Sequence, residues 1–330
     1  MAKIGKFQAL GRALSQLGRA ASAAPGWQRL EEHLMGTEVS VELWHEDPAA
    51  GMQAARAVME EYHRINREMS TYREDSEISR LNRAAAQAPF RVSRELFELV
   101  SRSLELGRLS GGCFDITYDS VGSLYDLRAG VIPDESQVRE RLPLIDYRAV
   151  ELDSERLTIF FRYAGMCINL GGIGKGYAVE RGAAILRQRG VCHALLNAGG
   201  DSRVIGDRRG QPWIIGVRDP RAAGAVVARL PLVDEAISTA GDYERFFERD
   251  GVRHHHILNP SNGLPSRGIR SVTVIGPDAT MTDGLDTGIF VMGVEKGMAL
   301  IASLLGYEAV IVDEQGKLYY SAGLLNAAAP

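Results

Sequence analysis

Lys175 sits in a stretch whose composition suggests chemistry: Ile168-Asn169-Leu170-Gly171-Gly172-Ile173-Gly174-Lys175-Gly176-Tyr177-Ala178. Four glycines fall within six positions around one lysine. Glycine lacks Cβ, so the backbone there can approach a ligand closely. A helical pattern follows, with Val179, Ala183 and Leu186 on one face and Gly190 as a stop. A helix start offers unpaired N–H groups and a positive dipole end, and Lys175 adds a full charge. Together these suit a phosphate or pyrophosphate group. The loop is not a Walker A motif, because Asn169 replaces the first glycine and Gly176 replaces the Ser/Thr after the lysine. It does not fit the G-x-G-x-x-G fingerprint either, and with no ligand the same cluster serves as a plain turn.

A second candidate is Pro277-Asp278-Ala279-Thr280-Met281-Thr282-Asp283-Gly284-Leu285-Asp286-Thr287. On a helix, Asp283, Asp286 and Thr287 stand at i, i+3 and i+4 and share a face. Two carboxylates and a hydroxyl are hard oxygen donors, which suit Mg²⁺ better than zinc. Acidic residues near a helix start also favour the dipole while remaining solvated. A third candidate is His254-His255-His256. In a strand, His254 and His256 face one side and His255 the other. No cysteine or spaced acid completes a zinc set, so one histidine acting as a hydrogen-bonding or acid–base group is the better reading.

These stretches need a sizeable scaffold, and the chain supplies one. Its 330 residues are 45% hydrophobic and 24% charged, with a formal net charge of −4. That composition fits an ordinary soluble globular protein. Mild acidity gives no general field for nucleic acid, so phosphate binding must come from local groups. Cys113, Cys167 and Cys192 are odd in number and scattered, so they read as reduced thiols. No stretch approaches the roughly 20 apolar residues of an integral membrane segment.

Residues 1–26 read as a basic amphipathic leader, carrying Lys3, Lys6, Arg12 and Arg19 and closed by Pro25-Gly26. Arg12, Gln16 and Arg19 interrupt what would be the apolar run of a secretory signal. The expectation is a cytoplasmic protein; the alternative is export or membrane association through this leader. Residues 27–330 form the single remaining domain.

Within that domain the patterns predict a strand at 38–44 and helices at 51–69 and 93–109, the latter capped by Ser93. Strands are expected near 157–162, 166–170, 191–196, 203–206 and 213–218. A helix at 176–189 falls between the second and third of these, giving one βα-β unit. Further strands are expected at 254–258, 271–276, 307–313 and 317–321, with helices at 279–292 and 294–305. Strands and helices mix without strict alternation, so the fold class is α+β or mixed α/β.

Eight motifs in order then add up to a resemblance. They are Met35-Gly36-Thr37; Met69-Ser70-Thr71-Tyr72 with Ser76 to Asn82; Gly112-Cys113-Phe114-Asp115 with Thr117; the glycine loop; Asn197-Ala198-Gly199-Gly200-Asp201; Ser238 to Tyr243; His255-His256-Ile257-Leu258-Asn259-Pro260; and Thr282-Asp283 with Asp286-Thr287. This set closely resembles the ApbE family of FAD:protein FMN transferases over about residues 34–295. The resemblance implies an ApbE-like domain with mixed sheets and packed helices. It also implies an Mg²⁺-dependent enzyme that splits FAD at the pyrophosphate. FMN passes to a threonine or serine of an acceptor flavoprotein, and AMP is released.

Carried over by matching position, Met35, Tyr72, Cys113, Phe114, Asp115, Asn169, Lys175 and Ile257 line the FAD site. Gly172 offers a backbone carbonyl to the metal beside Asp283, Asp286 and Thr287. His256 orients or deprotonates the incoming hydroxyl, and Asp283 is essential to turnover. Asn169 and Asn259 stand where the family usually has aspartate, and Ala240 where it has serine. The segment from Tyr118 to Gly122 also departs from the family pattern. Two other functions use the same features: an FAD pyrophosphatase giving FMN and AMP, and a non-catalytic FAD-binding or storage protein.

Overall fold

The computed structural model describes residues 25–327, except positions 223 and 250. The expected leader therefore lies outside the described residues up to position 24. Gly26 is not its end but the first residue of a strand.

An eight-stranded sheet carries the molecule. Its strands are Gly26–Leu34, Thr37–His45, Ala194–Ala198, Asp201–Ile205, Ala236–Gly241, Ile269–Gly276, Glu308–Asp313 and Leu318–Tyr320, in that spatial order. Each is antiparallel to its neighbours. Spatial order repeats chain order, so the sheet is a meander with long excursions between some strands. The first hairpin turns on Met35 and Gly36, both with positive φ (55° and 73°), the backbone a two-residue hairpin requires.

Four long helices among the described residues pack on this sheet or on one another. The first, Pro48–Met69, is capped by Asp47 and buries Ala54, Ala55, Val58, Met59, Tyr62 and Ile65. The glycine-loop helix, Gly174–Gln188, lies against it and against the acidic helix, Ala279–Met292. The acidic helix begins where sequence places it, because the Asp278 side chain accepts from Met281 N at 3.0 Å. Ser93 likewise caps Arg94–Leu109 through Leu96 N.

The architecture is α+β with antiparallel sheets, as the sequence reading allows, but the βα-β unit is absent. Residues 166–170 form an extended segment with no strand partner. Its backbone groups are met by side chains and by loop backbone, such as Ile116 O, which accepts from Asn169 N at 2.8 Å. Asn82 donates to Ile168 O and accepts from Ile168 N, both at 2.9 Å, and Ser120 Oγ accepts from Cys167 N at 3.0 Å. An apolar run satisfied in this way looks like a strand in sequence. Strand Gly26–Leu34 is the opposite case. It is a sheet edge that buries little beyond Gln28 and Leu34, so its polar sequence gave no strand signal.

Candidate active site

The two chemical stretches meet. Asp283 Oδ2 accepts from Gly176 N at 2.8 Å, and its Oδ1 accepts from Lys175 Nζ at 3.2 Å. The contact explains Gly176: a Cβ there would lie 2.1 Å from Ala279 O and 2.6 Å from Asp283 Cβ. The two helices can close to this distance only over a bare backbone. One turn along the glycine-loop helix, Glu180 accepts from Ala279 N at 2.9 Å, and Arg102 pairs with Asp278 at 2.9 Å. The first turn of the acidic helix is thus held from three sides.

Asp283 and Asp286 are joined by Asp201, a residue outside both stretches. Oxygens of the three carboxylates lie within 4.8 Å of one another, and all three residues are buried. Lys175 Nζ is 2.7 Å from Asp201 Oδ2, near enough for an ion pair although off the hydrogen-bonding direction. Asp286 Oδ1 is buried with no partner. Burial, then repulsion from Asp283, pushes the Asp201 carboxyl up to about 7 and raises Asp286 well above the carboxylate range. The same carboxylates hold Lys175 charged against the opposing effect of burial.

Whether Mg²⁺ fits can be tested on this arrangement. Three carboxylates and one ammonium leave a formal charge of −2, which one divalent cation cancels. The donors are hard oxygens, and an orphaned buried carboxylate oxygen costs free energy without a cation. Thr287 and Gly172 are adjacent to each other, since a Cβ on Gly172 would lie 3.3 Å from Thr287 Oγ1. The residues fit.

His255 faces inward while His254 and His256 do not, as strand alternation predicts. His255 is buried, with Nε2 on Ser266 O at 2.8 Å and Nδ1 accepting from Ile257 N at 3.3 Å. That network assigns the proton to Nε2 and keeps the ring neutral. His254 stacks on Phe247. His256 lies just beyond strand Val252–His255 and is exposed. Its imidazole is pushed down to about 3 by desolvation, then by Arg245, His255 and Lys175. Solvent on its open side weakens the desolvation part, but the positive neighbours still lower its basicity. No histidine joins a metal-capable cluster among the described residues.

The remaining expected residues fall into two sets. Met35 and Tyr72 stand on turns: Tyr72 is 89% accessible, whereas Met35 is half-buried against the core, with Arg245 donating to its O at 3.3 Å. Cys113 is half-buried, while Phe114, Asp115 and Ile257 are buried. The Asp115 carboxylate is committed, accepting from Thr117 N, Thr117 Oγ1 and Tyr147 N at 2.8, 2.6 and 2.9 Å. It shapes the loop behind Cys113 through these three bonds. Phe114 lies under Gly172 and Gly288 and so backs the metal-capable corner.

Asn169 accepts from Gly171 N at 2.8 Å and donates to Thr71 Oγ1 at 3.2 Å. Asp119 lies beside it, its carboxyl raised to about 6 by burial against the pull of a hydrogen bond from Asn169. Two departures from the family pattern are therefore neighbours. An aspartate at 169 would face the Asp119 carboxylate, whereas the amide bonds to it. Asn259 only accepts, from Ser261 N and Oγ, so its amide oxygen serves as a carboxylate oxygen would. Asp201 is the residue sequence reasoning quoted without assigning, and the signal available was its place after Gly199-Gly200.

Known proteins resemble this chain over most of its length. The model of the ApbE family matches residues 35–311. An FAD:protein FMN transferase of Treponema pallidum (strain Nichols) is 33% identical over 318 residues, covering 89% of this chain and 87% of that protein. One from Klebsiella pneumoniae (strain 342) is 32% identical over 292 residues, covering 87% and 90%. Among solved structures, the ApbE protein of Thermotoga maritima matches with a TM-score of 0.85 at 32% identity, over 92% of this chain and 100% of that one.

Proposed function

The chain belongs to the ApbE family, and from that premise we propose that it transfers FMN from FAD to a threonine or serine hydroxyl of a target flavoprotein, with Mg²⁺ bound and AMP released. It is an FAD:protein FMN transferase by the company it keeps. The observation carrying the finer reading is the junction of Gly176 N and Lys175 Nζ on one carboxylate, Asp283. It joins the glycine loop and the acidic helix at one point, which supports that reading.

Phosphoryl transfer depends on positioning and on neutralising charge over the phosphate oxygens. Asp283, Asp286 and Thr287, with the Gly172 carbonyl, would hold the Mg²⁺, which supplies Lewis-acid charge neutralisation at the diphosphate. Lys175 binds the same group, and the glycine loop lets the backbone come close to it. Tyr72, exposed and planar, is free to lie against a flavin ring. His256, neutral at physiological pH, can accept the proton of the acceptor hydroxyl as its oxygen bonds to the FMN phosphorus. AMP leaves with the electrons of the broken P–O bond. Met35, Cys113 and Asn169 line the FAD site in this reading, with Phe114, Asp115 and Ile257 supporting it from behind.

The test is incubation with FAD, Mg²⁺ and an acceptor domain, followed by intact mass of the acceptor. A covalent FMN adduct is expected. Free FMN and AMP with unlabelled acceptor would instead indicate a pyrophosphatase, and intact bound FAD a storage protein.

A further inference from the structure

Asp201 belongs to neither the glycine loop nor the acidic helix. It opens strand Asp201–Ile205, and the turn before it is pinned from two sides. Gly199 has φ +66°, and a Cβ there would lie 2.7 Å from Thr37 Oγ1. A Cβ on Gly200 would lie 2.6 Å from Thr239 O. Only a backbone without side chains passes between these neighbours, so the carboxylate is delivered to a fixed place. It is 1% exposed, and neither of its oxygens has a hydrogen-bond partner among the described residues. A buried carboxylate in that state requires a nearby cation. Here the cation is Lys175, 2.7 Å from Asp201 Oδ2 and 3.2 Å from Asp283 Oδ1.

Lys175 therefore stands between a carboxylate that the metal reading uses and one that it does not. Asp283 has little to spare, because its Oδ2 already accepts from Gly176 N. A divalent ion and the ammonium both need Oδ1. We propose that Asp201 is a positioning residue that tethers the Lys175 ammonium, so that a divalent cation arriving on Asp283 displaces it toward the diphosphate without letting it leave the site. This rests on the metal reading above and adds a coupling to it. The cation frees Lys175 for FAD, and FAD draws Lys175 off the cation's ligand. Each then strengthens the other's binding.

Two measurements test the idea without turnover. The first titrates Mg²⁺ by calorimetry in the absence of FAD. Lys175→Gln is expected to bind Mg²⁺ about tenfold or more tightly than wild type, because the competing charge is gone. A lysine that only props the cluster together would give equal or weaker Mg²⁺ binding on removal, and that result overturns the proposal. The second measures FAD affinity at saturating Mg²⁺ without acceptor, where the cation has displaced Lys175 from Asp283 and Asp201 alone holds it. Asp201→Asn, nearly isosteric, is expected to weaken FAD severalfold in the wild-type background and to change nothing in the Lys175→Gln background. Equal weakening in both backgrounds would mean that Asp201 does not act through Lys175. Thermal unfolding of each variant checks the fold, and the Lys175→Gln arm stands without Asp201. If Asp283→Asn binds Mg²⁺ as wild type does, the metal reading itself fails. If only that variant loses Mg²⁺ while Lys175→Gln matches wild type, the metal reading survives and the tether falls.

Discussion

Asp283 makes two kinds of contact with one carboxylate, a structural one to Gly176 N and an electrostatic one to Lys175. Replacing it with asparagine keeps the shape and an acceptor for Gly176 while removing the charge. Asp283→Asn should lose Mg²⁺ binding in calorimetry and at least about 10²-fold in turnover. Its stability in urea should fall by only about 1 kcal/mol, the difference between a charged and a neutral acceptor. His256 gives a pH prediction. Its folded pKa lies below the ordinary histidine value of about 6.5, so the ring is already neutral at pH 6.5 and stays so as pH falls further. If it is the base, it contributes no inflection to kcat/KM between about pH 6 and 7. Its own ring signals in NMR should titrate well below 6.5, and a midpoint near 6.5 would remove the electrostatic account of this residue. At this scale the sequence was most legible where local geometry does the work: i, i+3, i+4 spacing alone puts Asp283, Asp286 and Thr287 on one face. Asp201 was not legible as part of that group, because nothing local links it to residues on other elements. Asp115 illustrates a different limit. Asp-x-Thr is also a capping pattern, and here the cap consumes the carboxylate.

At the level of elements, the approach of the glycine-loop helix to the acidic helix is set by one missing methyl group. Gly176→Ala should destabilise the protein by roughly 1–3 kcal/mol, as overpacking does, and should weaken Mg²⁺ by moving Asp283. Gly174→Ala, two residues earlier, is the control, since the nearest atom to its Cβ would be Leu170 Cβ at 4.0 Å. Chemical denaturation of the two variants should separate them clearly. The Asn82 clasp on Ile168 is a second such junction. Asn82→Leu leaves two buried backbone groups unpaired, about 1–3 kcal/mol each. It should loosen the entry to the glycine loop, read as a rise in the Kd for FAD. That clasp is also why residues 166–170 misled: apolar content reports burial, not the identity of the hydrogen-bond partners. The start of Arg94–Leu109 was legible because its cap, Ser93, is local, whereas the Asp47 cap of Pro48–Met69 was missed.

Across the whole molecule, the site draws on the glycine-loop helix, the strand opened by Asp201 and the acidic helix, which are separated by long stretches of chain. A cation shared among them would tie distant parts of one core together. At about 100 times its Kd, Mg²⁺ should stabilise the fold by about 2.7 kcal/mol. Scanning calorimetry should then show Tm rising by several degrees in wild type and not in Asp283→Asn. The sheet was only partly foreseeable: most strands were recognisable singly, but their antiparallel order depends on partners such as Thr37–His45 and Ala194–Ala198, which no local pattern links. That order has a consequence of its own. Because neighbouring strands are also successive strands of the meander, each excursion leaves and re-enters at adjacent positions in the sheet. Loops that grip the substrate or greet the acceptor can therefore lengthen, shrink or be exchanged without rethreading the scaffold. On such a frame the surface that meets an acceptor can change while the corner of Lys175, Asp201 and Asp283 stays fixed.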